Sequence, residues 1–529
     1  MIIVKVLVMD GVSEEGLVPL RQNQEIEVVI GSKMTEDELA EIIPEFDGMI
    51  VRSATKVTAR IIEKGDRLKV IGRAGVGVDN IDLGAATRKG VLVVNAPDGN
   101  TIAATEHTIA MMLSLARNIP QAVMKMKGCV WDKKAFLGVE LRGKVLGVLG
   151  LGRIGSAVAK RAQALEMDVV AYDPFITEEK AASMAVDLVT LEELYRRSDF
   201  ITIHMPKTKE SYHMINEKSL SLMKEGVRII NCARGGIIDE DALYKAMVEG
   251  KVAGAALDVF EKEPNTESPL LKLPNFIATP HLGASTREAQ LNVAVDVSEE
   301  IVAALTGNVV KNTVNIPSIS PKTLVLVKPY LGLAEKLGRF QAYLVSGRIK
   351  RVEVIYSGDL ARQEVAPITT AVVKGLLDPI LQETVNFVNA PTLAKSRGIQ
   401  VLQAVDGLGE GYSSLITVKI YSDKEEKTIS GTLFGDNDPR IVMIDGYRVD
   451  AVPSGYMLYV PHMDKPRIIG PVGTLIGDHN INIASMQVGR KQIGGKAIML
   501  LSVDCEVPED TLKKIAEIEG VMDVKMIKL

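Results

Sequence analysis

Cysteine is scarce in this chain: three in 529 residues, Cys129, Cys232 and Cys505, far apart. That spacing excludes a disulfide framework and any cysteine-based metal site, and points to a reducing, cytoplasmic compartment; no metal is expected. An excess of one charge is missing too. A net charge of −5 leaves nothing to favour broad binding to nucleic acid or an anionic membrane. No run approaches the roughly 20 unbroken apolar residues of a membrane helix. The opening "MIIVKVLVMDGV" carries Lys5 and Asp10 and reads as a first strand, not a signal peptide. Histidine is also rare, six in all. One of them, His281, sits in "ATPHLGAST", just after Pro280 and close before Gly283, on a stiff turn with no periodicity around it. A side chain that exchanges protons near neutral pH in such a place suggests chemistry once other residues join it.

What is present is a globular balance, 47% hydrophobic and 24% charged. The length exceeds one core and predicts roughly three or four domains. Up to about residue 305, short apolar runs alternate with helical stretches. "KVLVMD", "GMIVRS", "KVIGRAG" and "VLVVNAP" read as strands, and "TEDELAEIIPEF" and "DLGAATRKG" as helices. This alternation predicts an α/β fold with parallel sheets, whose ligands bind at the carboxyl ends of strands. Arg52 and Arg73 stand at such ends. "TIAATEHTIAMMLSLARN" reads as a helix capped by Asn100 or Thr101, with His107 packed inside it.

The string "GLGRIG" has Gly150, Gly152 and Gly155 in G-x-G-x-x-G spacing, after the strand "KVLGVL" and before the helix "SAVAKRAQALE". The glycines allow the turn, the approach of a pyrophosphate and close helix packing, and the helix N-terminus attracts the anion. Asp173 ends the next strand, where a carboxylate suits ribose hydroxyls, so NAD is expected rather than NADP. The cofactor site is assigned Gly150, Gly152, Arg153, Ile154, Gly155 and Asp173, with Cys232 and Asp258 at later strand ends.

Three further strand ends bring polar groups: Arg234 in "NCARGG"; Asp258, Glu261 and Glu263 in "ALDVFEKEP"; and His281. A histidine beside a carboxylate is an acid–base pair, and an arginine binds a carboxylate by two hydrogen bonds. Oxidation of a 2-hydroxy acid needs such a set.

These motifs, with "AALDVF", "PHLGAST", "VRSATKVT", "GRAGVGVDNIDL" and "NAPDGNT", resemble the D-specific 2-hydroxyacid dehydrogenases, in particular the long branch acting on D-3-phosphoglycerate. The resemblance covers the whole chain. It implies NAD-dependent oxidation to 3-phosphohydroxypyruvate, the first step of phosphorylated L-serine biosynthesis. Arg234, Glu263 and His281 would be catalytic, with His281 the base. Arg52, Ser53, Arg73, Gly75 and Asn100 would bind substrate. Lys133, in "VWDKKAF" with Trp131, would reach in from a neighbouring subunit of a homo-oligomer; the family often has arginine there. The implied architecture is two Rossmann-like lobes, followed by an intervening α+β domain and a ferredoxin-like ACT domain. The substrate lobe, 1–96 and 283–308, is split around an NAD lobe, 97–282. The intervening domain spans 309–452 and the ACT domain 453–529.

"TGNVVKNTVNIPSISP" has the composition of a boundary, and Asp445-Gly446 between alternating runs signals a hairpin. The β-α-β-β-α-β order after 455 is ferredoxin-like. By resemblance, His462, Asp464 and Asn482, the last from a partner copy or the same one, would bind L-serine as effector. Arg467 departs from the glycine usual there. Rival readings are a hydroxypyruvate or glyoxylate reductase and an NAD-sensing module of the corepressor kind; the long extension past residue 308 argues against both.

Overall fold

The computed structural model describes residues 3–308, 310–316, 321–406, 411–435 and 437–529. Its first sheet holds five parallel strands: Val4–Val8, Ile26–Ile30, Gly48–Val51, Val70–Arg73 and Leu92–Asn95. Counted along the chain they lie in the order 2-1-3-4-5. Strands covered on both faces are apolar throughout, and Gly48–Val51 is buried at every residue. One face is covered by a helix far along the chain, Arg287–Leu305, whose Val293, Ala294, Val297 and Ile301 share a core with Val6, Val8, Val70 and Val94. Thr286 starts this helix by accepting the Ala289 N–H. The chain then stays with the first sheet: Thr313 bridges Val94, and Asn315 Oδ1 accepts from Val93 N–H at 2.9 Å.

The second sheet has seven parallel strands, from Val145–Leu149 to Phe276–Ala278, in the order 3-2-1-4-5-6-7. The order of strand addition reverses between Val145–Leu149 and Phe200–Ile203, which pair in parallel, the switch point where doubly wound sheets bind ligands. The helix Thr101–Arg117 covers one face through Met111, Met112 and Leu115. Asn100 precedes it, but neither Asn100 nor Thr101 makes a capping side-chain bond. The expected cap is therefore absent, and Asn100 Oδ1 is buried without a partner.

A third, six-stranded sheet, Ile349–Gly358 to Tyr447–Ala451, is antiparallel apart from one parallel edge pair. The hairpin at Asp445-Gly446 forms as expected, with φ of 49° and 78° at the two residues, as a type I′ turn requires. The last sheet has the order 2-3-1-4 with two helices, the ferredoxin-like arrangement. Its Met457, Tyr459, Ile498, Leu500 and Ile527 belong to the same core as Leu337, Phe340 and Tyr356 of the third unit. Among the described residues no helix is long and apolar enough to cross a membrane.

Candidate active site

The glycine loop is built by close packing. A Cβ on Gly155 would lie 2.0 Å from the Gly150 carbonyl oxygen, and Gly150 itself has φ 91°. Gly152 faces open space. The helix Arg153–Ala164 starts here with no side chain capping its first N–H groups, which remain available to an anion. Asp173 sits one residue past the strand Asp168–Tyr172 and accepts from Leu151 N–H at 2.8 Å and Phe175 N–H at 2.9 Å. The carboxylate so expected at the ribose thus also ties its strand end to the glycine loop. Ile154 packs on the core, and Arg153 pairs with Asp98 at 2.7 Å on the surface. These features fit a dinucleotide.

His281 has φ 56°, a conformation disfavoured for any side chain larger than glycine. Its Nδ1 lies 2.8 Å from Glu263 Oε2, while Glu263 Oε1 accepts from Phe260 N–H at 3.0 Å. A carboxylate only accepts, so Nδ1 carries the proton and neutral His281 keeps its lone pair on Nε2. The bond from Glu263 raises the His281 pKa, with Asp258 adding to the rise and burial and Arg234 opposing it. Burial pushes the Glu263 pKa up, but bonds from His281 and Phe260 outweigh it and hold the carboxyl below its usual range.

Around this pair lie cations from the first sheet. Arg73 is largely buried and its pKa is pushed down to about 10, by burial first and then by repulsion from Arg234 and Arg52. Three guanidiniums therefore lie close to one another. Arg73 Nε is buried without a partner. The backbone makes room for it: a Cβ on Gly75 would lie 1.7 Å from Arg73 Nη1. Arg52 is half-buried, and its N–H is held by Asp10 at 2.8 Å; Ser53 beside it is exposed. Arg234 donates through Nε to Asp79 at 3.1 Å and through Nη1 to its neighbour Ala233 at 2.7 Å, which leaves Nη2 over Gly77.

Not every expected residue gathers here. Lys133 and Trp131 are exposed, and among the described residues nothing joins Lys133 to the arginines. Cys232 is deeply set, with burial pushing its thiol up to about 12, so it stays protonated. Asp258 has no exposed area. It accepts from Thr279 at 2.6 Å, Leu282 N–H at 2.7 Å and Gly283 N–H at 2.8 Å. Sequence reasoning missed Asp79, whose partner lies 155 positions away, and Thr279. It also read His107 as packing only, whereas Nε2 lies 3.1 Å from Thr279 and 3.3 Å from Asp258.

In the last unit, buried His462 donates through Nδ1 to the Val460 carbonyl at 3.0 Å, which being an acceptor fixes the proton on that nitrogen. Asp464 pairs with Arg490 at 3.0 Å and accepts from Gly494 N–H at 3.2 Å. Arg490 ends the strand Ile483–Arg490, and Asn482 precedes its other end, bonded to Asp504. One copy therefore does not bring Asn482 to Asp464.

Known proteins share this organisation. The family model for the NAD binding domain of D-isomer specific 2-hydroxyacid dehydrogenases matches residues 109–283. The D-3-phosphoglycerate dehydrogenase intervening domain matches 326–445, and the ACT domain 456–520. D-3-phosphoglycerate dehydrogenase of Methanocaldococcus jannaschii is 49% identical over 99% of this chain and 100% of its own. That of Bacillus subtilis is 46% identical over 99% of both. A crystal structure of D-lactate dehydrogenase from Aquifex aeolicus with NAD and lactic acid covers 59% of this chain and 100% of its own, at 33% identity and a TM-score of 0.52. With near-half identity along its whole length and all three domain types in the same order, the chain belongs to the D-3-phosphoglycerate dehydrogenases, NAD-dependent oxidoreductases of the D-isomer specific 2-hydroxyacid family.

Proposed function

We propose that this chain oxidises D-3-phosphoglycerate to 3-phosphohydroxypyruvate in L-serine synthesis, with His281 as base, Glu263 as its partner and Arg234 as carboxylate anchor. The observation that carries this is the 2.8 Å His281–Glu263 pair set beside a group of three arginines, Arg52, Arg73 and Arg234. A substrate with a carboxylate at one end and a phosphate at the other supplies the anions that such a group needs.

Arg234 Nη2 binds the carboxylate. Arg52 and Arg73, with Ser53, Gly75 and Asn100, receive the phosphate end and the hydroxyl. Gly150, Gly152, Arg153, Ile154, Gly155 and Asp173 would hold NAD, which when bound would supply the acceptor for the hydride of C2. Neutral His281 takes the C2 hydroxyl proton at Nε2, and Glu263 stabilises the imidazolium that results. Cys232 and Asp258 serve from beneath, as walls and fixings of this site. The lobes divide at 1–96 with 283–308 and at 97–282, with 310–316 strapped to the first. The cleft between them closes to exclude water. The sequence assigns 309–452 to the intervening unit and 453–529 to the ACT unit, with 310–316 of the former bonded to the first sheet.

The helix Ile119–Lys127 buries none of its residues, and Ile119, Val123, Met124 and Trp131 are exposed. That apolar face supports a homo-oligomer in which a partner's copy of Lys133 approaches the phosphate end. L-serine is the proposed effector, held between Asp464 and His462 of one copy and Asn482 of another. Three free cysteines support a reducing, cytoplasmic location.

The test is NADH absorbance with D-3-phosphoglycerate, for wild type and His281→Ala. Wild type turns over, and the variant loses at least about a thousandfold while keeping NADH affinity. No turnover by wild type, or more than a tenth of the rate in the variant, would sink the assignment.

A further inference from the structure

We infer that His107, on the helix Thr101–Arg117, is a positioning residue for the turn that carries His281. The reasoning is a count of protons. Thr279 Oγ donates to Asp258 Oδ1 at 2.6 Å, because a carboxylate can only accept. Its oxygen is then left as an acceptor toward His107 Nε2 at 3.1 Å. Asp258 Oδ1, 3.3 Å from the same nitrogen, is an acceptor as well. His107 must therefore present an N–H there, shared between two acceptors.

What that N–H supports is a carboxylate with no exposed surface. Asp258 grips the backbone of the residues just past His281, Leu282 and Gly283, and its own carbonyl accepts the His281 N–H at 2.9 Å. Burial disfavours the charged form; the bonds from His107, Thr279 and Leu282 outweigh it and keep Asp258 ionised. If Asp258 took a proton, an O–H would face a backbone N–H, donor against donor, and the turn would be released. His281 would leave its left-handed conformation and loosen from Glu263. The charged groups facing His281 are Glu263 and Asp258, which favour its protonated form, and Arg234, which opposes it.

The inference rests on His281 as the base, so its test has a readout that needs no substrate. In the full chain, the rate of His281 acylation by diethyl pyrocarbonate is followed against pH by peptide mass spectrometry, which reports the His281 pKa. The variants are His107→Phe, which keeps a ring and deletes the donor; His107→Gln, which keeps an N–H near the same point; and Thr279→Val, which removes the shared bridge. In His107→Phe and Thr279→Val the His281 pKa falls by about half a unit or more, as the contact with Glu263 weakens. The kcat on D-3-phosphoglycerate falls roughly tenfold or more, as expected for a misplaced base. NADH affinity stays within about twofold of wild type, and His107→Gln recovers most of both losses. An unchanged His281 titration in Thr279→Val or His107→Phe, whatever the Tm, overturns the inference. So does a fall in NADH affinity that accounts for the lost rate. If wild type shows no turnover while the titration still shifts, the proposed reaction fails and the positioning role stands.

Discussion

Of the turns that put a residue with a side chain into left-handed backbone, those at His281 and Arg467 are held in different ways. At His281, φ 56°, the conformation is fixed by the carbonyl and both carboxylate oxygens of buried Asp258 and by Glu263 on the ring. At Arg467, φ 69°, the nearby bonds are those of half-buried Asp464 to exposed Arg490 and to Gly494, all within the one unit, and Arg467 itself is exposed. Strained backbone persists where its surroundings over-determine it. The first turn is built to hold one atom still, and the second has room to adapt to what approaches it.

Breaking the first turn should cost most. Glu263→Gln removes the charge opposite His281 and should cut kcat by roughly a thousandfold, as when an orienting acid is neutralised. Because that carboxylate is what raises the His281 pKa, the acid limb of the oxidation rate should move to lower pH. Only neutral imidazole accepts a proton, so the wild-type rate climbs as pH rises through the raised pKa. A pH–rate profile whose limb stays in place would separate His281 from Glu263.

Asp258→Asn should come next. The amide must turn an N–H toward a backbone N–H, leaving a buried donor unpaired at about 1–3 kcal/mol. A roughly hundredfold loss of kcat is expected from the displaced turn, with a lower Tm in calorimetry. A loss confined to NADH affinity would instead make Asp258 a cofactor contact.

A third turn, the glycine loop, is tied by Asp173, and Asp173→Ala should weaken NAD about tenfold, roughly one charge-assisted hydrogen bond, while relaxing rejection of NADP. Fluorescence titration with both dinucleotides checks this. Unchanged NAD affinity would leave Asp173 with a structural part only.

The smallest effects belong to the second turn. Arg467→Gly relieves roughly 1 kcal/mol of left-handed strain, offset in part by the freedom glycine adds to the unfolded chain. Basal kcat should not change, and L-serine inhibition should tighten as the start of the helix Ile469–Gly477 opens. Asp464→Ala should lose that inhibition. Equal response of both variants and wild type to added L-serine would remove this turn as the effector site.

The sequence carried what is local. "GLGRIG" between a strand and a helix, the Asp445-Gly446 hairpin and the β-α-β-β-α-β order are all written within short windows. The His281–Glu263 contact was legible because 18 positions separate the two along adjacent strand ends. His107 was not, because a helical histidine that packs and one that bonds Thr279 across 172 positions have the same local pattern. Asp79 faced the same obstacle, 155 positions from Arg234. The asparagine before that helix misled for the opposite reason: its type favours capping, yet its backbone at φ −114°, ψ 5° does not aim the side chain at the helix.

The core shared by the third and fourth units bears on how this chain can be taken apart. Met457, Tyr459 and Ile527 lie among Leu337, Phe340 and Tyr356 with almost no exposed surface. A chain cut after residue 452 would leave that apolar surface wet, and each large side chain uncovered forfeits about 1.5–3 kcal/mol. A deletion of the last unit would first report the loss of a folding partner, and its product would seek another apolar surface to cover the gap. Point changes at Asp464 and Arg467, which leave the seam closed, separate sensing from folding where truncation merges them.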